Sequence, residues 1–227
     1  MIFITGDTHR SDLGRFQLFC TLHPELSKRD YMIVAGDFGG VWAENTLEHD
    51  LAPFSALPFT VLFVDGNHEN FDLLDAFPVE EWQDGRVHRI RPDIIHLMRG
   101  QVYELEGKRI FTFGGATSID RAMRTEGVSW WRQELPTFEQ LDEGLANLKR
   151  CGNHVDVIVT HSCGERAFAH MAARRLVGGK GLYPENHLLS NFEDVASFGH
   201  WYFGHFHADA RLGEKYTALL HEIVQIS

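Results

Sequence analysis

Ile2-Phe3-Ile4-Thr5-Gly6-Asp7-Thr8-His9 is an unbroken apolar run that stops abruptly in a polar tetrad. The pattern recurs. Residues 31–35 run into Gly36-Asp37, and residues 59–64 end at Asp65-Gly66-Asn67-His68-Glu69. Farther on, residues 155–160 end at His161, and residues 200–203 end at Gly204-His205-Phe206-His207. Short runs of Ile, Val and Phe without alternation read as strands buried on both faces. Asp7, Asp37 and Asn67 are spaced 30 residues apart, which suits a strand, a crossover helix and the next parallel strand. Residues 11–22, capped by Ser11 or Asp12, and residues 45–56, ended by Pro58, supply the two helices. Right-handed crossovers then bring every polar signature to the carboxyl edge of a sheet, where open α/β sheets bind ligands.

The middle of the chain breaks the rhythm. Residues 87–90, 94–98, 101–105 and 109–113 are short apolar runs between turn residues, which predicts an antiparallel meander and a second sheet. Residues 114–135 read as a long loop carrying Arg121, Arg124, Trp130, Trp131 and Arg132, and a loop of that length is usually functional. Thr137 and Gln140 form a capping box for a helix reaching Arg150. Residues 164–185 read as irregular around Gly178-Gly179-Lys180-Gly181, and residues 215–220 and 221–226 read as strand.

Composition sets the outer limits. The chain has 227 residues, 44% hydrophobic and 23% charged, which are the proportions of a globular protein and fit one domain over residues 1–227. No apolar run is long enough to cross a membrane. The opening residues lack the basic segment of a secretion signal. Three cysteines without CxxC pairing suit a reducing compartment, so a cytoplasmic location is expected. A net charge of −11 disfavours long duplex nucleic acid as a partner. The oligomeric state is not readable.

The strand ends gather Asp7, His9, Asp37, Asn67, His68, His161, His205 and His207. These are oxygen and imidazole donors with no thiolate, a set suited to Mn, Fe or Zn rather than Ca. They are too many for one ion. Two ions form a clamp for in-line displacement at phosphorus. In Asp7-x-His9 and His205-x-His207 the two-residue spacing at a strand end directs both members of a pair to one side. Alone, a Gly-Asp turn or a single histidine is more often structural. Five such signatures, each after an apolar run, make a metal site the stronger reading.

Together these blocks resemble the calcineurin-like metallophosphoesterase superfamily, with all five motifs in order over residues 6–207. The resemblance is to small prokaryotic and phage-type members. It implies an α/β fold: a four-layer α/β/β/α sandwich of two mixed β-sheets flanked by helices. It implies that Asp7, His9, Asp37 and His207 hold one divalent ion, that Asp37 bridges, and that Asn67, His161 and His205 hold the other. A hydroxide between the ions would attack a phosphomonoester or phosphodiester of a small phosphorylated substrate, and His68 would protonate the leaving oxygen.

Departures from the pattern narrow the substrate. Phe38-Gly39-Gly40-Val41 stands where protein phosphatases of the superfamily carry an Asp-Arg pair, which speaks against protein phosphatase specificity. Arg10, Arg121 and Arg132 are candidates for contact with substrate phosphate, and each has a solvated or ion-paired alternative. Glu69 is read either as orienting the site or as a helix N-terminal carboxylate. Cys163 reads as a small buried residue. Trp130 and Trp131 either stack on a base or cap the sheet. Two other functions compete: a nuclease for single-stranded or short nucleic acid, and a non-catalytic interaction scaffold of the same fold.

Overall fold

A computed structural model describes residues 1–11, 13–178 and 181–227. In chain order the elements of the first half are β1 (Ile2–Thr5), α1 (Leu13–Leu22), β2 (Tyr31–Val34), α2 (Leu47–Ser55), β3 (Thr60–Phe63), α3 (Phe71–Leu74), β4 (Val79–Trp82), β5 (Gly85–Arg91) and β6 (Ile94–Leu97). The second half holds β7 (Gln101–Leu105), β8 (Lys108–Phe113), α4 (Phe138–Arg150), β9 (His154–Thr160), α5 (Glu165–Ala173), α6 (Pro184–Val195), β10 (Ser197–Phe203), β11 (Ala210–Leu212), β12 (Tyr216–Ala218) and β13 (Ile223–Gln225). The first sheet has the order β13-β1-β2-β3-β6-β5-β4, and the second β11-β12-β10-β9-β8-β7. Each has a parallel centre with antiparallel strands at its margins.

Strand alternation builds the layers. Ile2 and Ile4, Ile33 and Ala35, and Leu62 and Val64 face a core shared with Ile110, Val157, Val159 and Tyr202 of the second sheet. The intervening Phe3, Met32, Val34, Val61 and Phe63 face the opposite way, onto Phe16 of α1, Leu51 and Phe54 of α2 and Leu74 of α3. On the far side Phe111, Phe113, Ile158, Trp201 and Phe203 pack under Leu148 of α4, Met171 of α5 and Phe192 of α6. Both faces of each sheet are covered, which is why the central strands are apolar throughout. The molecule is a four-layer α/β/β/α sandwich.

Register fixes the functional edge. Thr5 pairs with Val34 and Val34 with Phe63, so β1, β2 and β3 finish level. Phe113, Thr160 and Phe203 finish level in the second sheet. The polar signatures leave from these two rims.

Several expectations are corrected. The predicted meander is divided: β5 and β6 extend the first sheet, β6 running parallel to β3, whereas β7 and β8 belong to the second. The chain changes sheets between Leu97 and Gln101, and only long-range packing decides where. Residues 164–185 are not irregular throughout, since α5 occupies Glu165–Ala173 and packs Ala167, Phe168 and Met171 inward. Its apolar spacing is masked by the alanines between. The second crossover helix starts at Leu47 and contains Pro53, one turn of which therefore lacks its donor. The Thr137–Gln140 capping box is present, each side chain bonding the other's backbone N–H. Asp12, one of the two caps expected for the first helix, and Gly179-Lys180 lie outside the described residues.

Candidate metal centre

Between the two rims the turns bend sharply. His9, Asp37, His205 and His207 all have positive φ, between 45° and 66°. Non-glycine residues rarely adopt this region, and such strain clusters at functional sites. The turn at Asp37 begins with Gly36 at φ 92°, where an added Cβ would overlap the His161 ring. Likewise a Cβ on Gly66 would overlap the Asp37 carboxylate. These glycines let donors from different strands crowd together.

The donors fall into two groups. In one, His9 Nε2 lies 3.2 Å from His207 Nε2, and His207 Nε2 lies 3.3 Å from Asp7 Oδ2. In the other, Asn67 Oδ1 lies 3.1 Å from His161 Nε2 and 3.0 Å from His205 Nδ1. Asp37 stands between them, with Oδ2 3.8 Å from His9 Nε2 and Oδ1 3.3 Å from His161 Nε2. The pairs His205 and His207 therefore serve different groups. Strand alternation had predicted one shared direction, but both residues lie past the end of β10 in left-handed turns, where alternation no longer applies.

Hydrogen bonds orient Asp7, Asp37, Asn67 and His161. His161 Nδ1 donates to the Ala35 carbonyl at 2.9 Å, which turns Nε2 toward Asp37 and Asn67. Asn67 Nδ2 donates to Ser118 Oγ, leaving Oδ1 inward. The His68 amide donates to Asp37 Oδ1, and the His205 amide to Asp7 Oδ1. Arg15 of α1 donates to the Gly6 and Asp7 carbonyls. Buried Glu69 accepts from the amides of Phe38 and Gly39 and so fixes the turn after Asp37. It is not the helix cap, a place Asn70 takes.

The cluster is suited to cations. Asp7 Oδ2 is buried and accepts no hydrogen bond, a cost tolerated where a stronger partner is available. Donors each about 2.0–2.2 Å from one ion stand about 3.0–3.5 Å from one another; His207 to His9 and to Asp7, and Asn67 to His161 and to His205, fall in that range, while His9 stands 3.8 Å from Asp7 and from Asp37. Burial favours the neutral form of Asp37, yet His161, His68 and His9 hold its carboxyl well below the usual range. Conversely, burial disfavours a charged His161, but the Asp37 carboxylate raises it to about 10. His205 is pushed down to about 3 by burial and by His161, so it keeps a free lone pair. Asp7, His9 and His207, and Asp7, Asp37 and His161, are groups that could hold a metal ion.

The calcineurin-like phosphoesterase family model matches residues 1–209. This chain belongs to the calcineurin-like phosphoesterase family. The family and the donor groups make it, in general terms, a metal-dependent phosphoesterase. Among solved structures, the phosphoesterase is similar to a phosphopantetheinyl hydrolase from Mycobacterium tuberculosis at 17% identity and TM-score 0.45, over 96% of this chain and 89% of that one. It is also similar to a protein of unknown function from Aquifex aeolicus at 19% identity and TM-score 0.32, over 71% of this chain and 80% of that one. No curated protein matches it.

A cavity of about 440 Å³ opens over the phosphoesterase's donor groups. His68 lines it, half-buried beside His9. Burial and the adjacent Arg124 lower the His68 pKa, against the pull of Asp37. Arg124 also lines the cavity, whereas Arg10, Arg121 and Arg132 do not. Arg10 pairs with Asp50 at 2.9 Å, Arg121 lies 4.0 Å over the Trp130 ring, and exposed Arg132 pairs with Glu126. Sequence reasoning named Arg124 without singling it out. Its one signal is Asp120 four residues earlier, which it meets at 2.9 Å. Trp130 and Trp131 are buried, Trp131 donating to Asp72 at 2.8 Å, so neither offers a face for a base. Cys163 is buried, as expected.

Proposed function

We propose that this phosphoesterase holds two divalent ions, Mn, Fe or Zn, and hydrolyses a phosphomonoester or phosphodiester of a small molecule. Asp7, His9, Asp37 and His207 hold one ion, and Asn67, His161 and His205 hold the other with Asp37 shared. The observation that carries the reading is the position of Asp37, with one carboxylate oxygen toward each donor group. When bound, the two ions supply a nucleophile at neutral pH and neutralise charge at phosphorus.

The chain's own residues do the rest. The Arg124 guanidinium, anchored by Asp120 and by the Ser129 carbonyl, donates to a non-bridging phosphoryl oxygen. His68 donates a proton to the leaving oxygen. A phosphoryl dianion bound beside both Arg124 and His68 favours the imidazolium that this transfer needs. Glu69 holds the turn that aims Asp37. Trp130 and Trp131, being buried, lend nothing to the nucleic-acid alternative.

The test is metal-stripped protein reloaded with Mn²⁺, Fe²⁺ or Zn²⁺ and assayed on p-nitrophenyl phosphate, bis-p-nitrophenyl phosphate and a panel of natural phosphoesters. Two ions per chain and metal-dependent turnover are expected, with His68→Asn losing most turnover while keeping its metal. One ion at saturation, or silence across the panel, rejects the reading. Silence with two ions bound would favour the scaffold.

A further inference from the structure

The cavity has two unlike walls. His68, Asp120 and Arg124 form one, beside the donor groups. Phe168, Leu176, Val177, Tyr183 and Phe206 form the other, and exposed Ile119, next to Asp120 in the chain, completes the apolar lining. Phe168 and Val177 belong to the core under the outer helices, and Leu176 and Phe206 pack against it. Phe206 stacks edge-on against Phe203, Phe168 and the His205 ring. The apolar wall is therefore the rim of a packed core, held in shape without a ligand. Phe206 sets it beside His205 and His207.

A phosphoryl group fills only a fraction of about 440 Å³, a volume typical of sites for whole small molecules. With its phosphorus over the donor groups, a substrate's alcohol portion has the apolar wall as its nearest surface. Apolar groups gain by leaving water there. Hydroxyl groups would lose hydration to a wall that, among the described residues, offers the Tyr183 hydroxyl as its side-chain partner.

We infer that the cavity selects phosphoesters whose alcohol or phenol portion is apolar, and disfavours sugar and polyol phosphates. This rests on the phosphoesterase reading for the placement of phosphorus. Leu176 and Ile119, both in the apolar lining, are specificity-determining residues.

The experiment uses Mn²⁺-loaded protein and n-alkyl phosphates from ethyl to hexyl, whose leaving groups hardly differ in basicity. kcat/KM rises about threefold to fourfold per methylene over the first few carbons. Propyl phosphate exceeds glycerol phosphate by at least about tenfold. Leu176→Ser and Ile119→Ser each lower the hexyl-to-ethyl ratio, a readout that cancels any general loss of activity. Calorimetry with n-alkylphosphonates, which do not turn over, gives dissociation constants that fall along the same series. Turnover with a flat series, or with glycerol phosphate equal to propyl phosphate, overturns the selectivity and leaves hydrolysis standing. Phosphonate affinity that climbs with chain length, without turnover of any ester, keeps the apolar wall and rejects hydrolysis. Neither turnover nor binding overturns both.

Discussion

Nη2 of Arg124 stands 3.0 Å from Nε2 of His68 and 3.3 Å from its Nδ1. A guanidinium only donates, so this contact is favourable to a neutral imidazole and unfavourable to a charged one. Asp120 and the Ser129 carbonyl also hold the guanidinium. Arg124 lines the cavity with Asp120 and His68.

Arg124→Met is therefore expected to lower kcat/KM for a phosphoester about 10²–10³-fold, the usual effect of removing one donor to developing charge. Arg124→Lys recovers part of it, because a point charge lacks the two-pronged fork. Metal content, measured by mass spectrometry on the same samples, stays unchanged. Equal kinetics in all three proteins would remove Arg124 from substrate contact.

Gly66→Ala tests the crowding that lets Asp37 face two ways. The new Cβ overlaps both the carboxylate and the backbone nitrogen of Asp37, so the carboxylate must turn. Affinity for at least one ion is expected to weaken by about 10–100-fold, as for other lost ligand-orienting contacts. Competition with a coloured chelator measures it. Unaltered affinity would mean that Asp37 does not need this orientation.

Arg99 ties Asp65 to the long loop. It donates to Asp65 Oδ2 at 2.8 Å through Nε and 2.5 Å through Nη2, and to the Gln133 carbonyl at 2.7 Å. Both side chains are almost fully buried. Arg99→Met leaves the buried Asp65 carboxylate with His96, 3.2 Å from Oδ1, in place of its guanidinium and should cost up to about 3–5 kcal/mol. Adding Asp65→Asn to that variant restores part of the loss, because the buried charge is gone. Urea unfolding of the two variants against the parent decides it.

Asp209, like Asp37, Asp65 and Asp30, contributes to the acid dependence of stability. Burial favours its neutral form, but the amides of Leu220, His221 and Glu222 all donate to it and hold its pKa below the ordinary value. A lowered carboxyl pKa means more protons bound unfolded than folded in that range, so stability rises with pH there. The contribution is complete above about pH 4 and disappears as the pH falls through the folded value. Asp209→Asn should flatten this acid limb and, since the bonds are solvent-exposed and Asn keeps one acceptor, cost about 0.5–1 kcal/mol at neutral pH. Thermal melts from pH 3 to 7 give both quantities, and parallel curves would contradict the assignment.

The parallel strands and their polar ends were legible because the donor-bearing turns follow directly on unbroken apolar runs such as residues 1–5 and 59–64. A buried strand and the turn after it are local events. Allocation of β5 to β8 between sheets was not legible, because each run suits either sheet and long-range packing chooses. α5 escaped because Ala169, Ala172 and Ala173 blur its apolar stripe. The seven donors were readable as a set. The separation of His205 from His207 came from the family resemblance alone; spacing sent both to one side, since the separation depends on two left-handed residues that no spacing rule anticipates. Arg124 could not be told from Arg121 or Arg132 until the loop's course brought it to His68.

Asp7, His9, Asp37 and Asn67 follow strands of the first sheet, and His161, His205 and His207 follow strands of the second. Anything gripped by donors from both rims acts as a fastener across the seam between the halves. Unfolding must release it, so melting temperature climbs with the logarithm of free cation concentration. Chelation would then loosen the rim of the seam as well as silence turnover, while the apolar core shared by the two sheets keeps them together, and protease sensitivity at the joint would report it before any assay of activity.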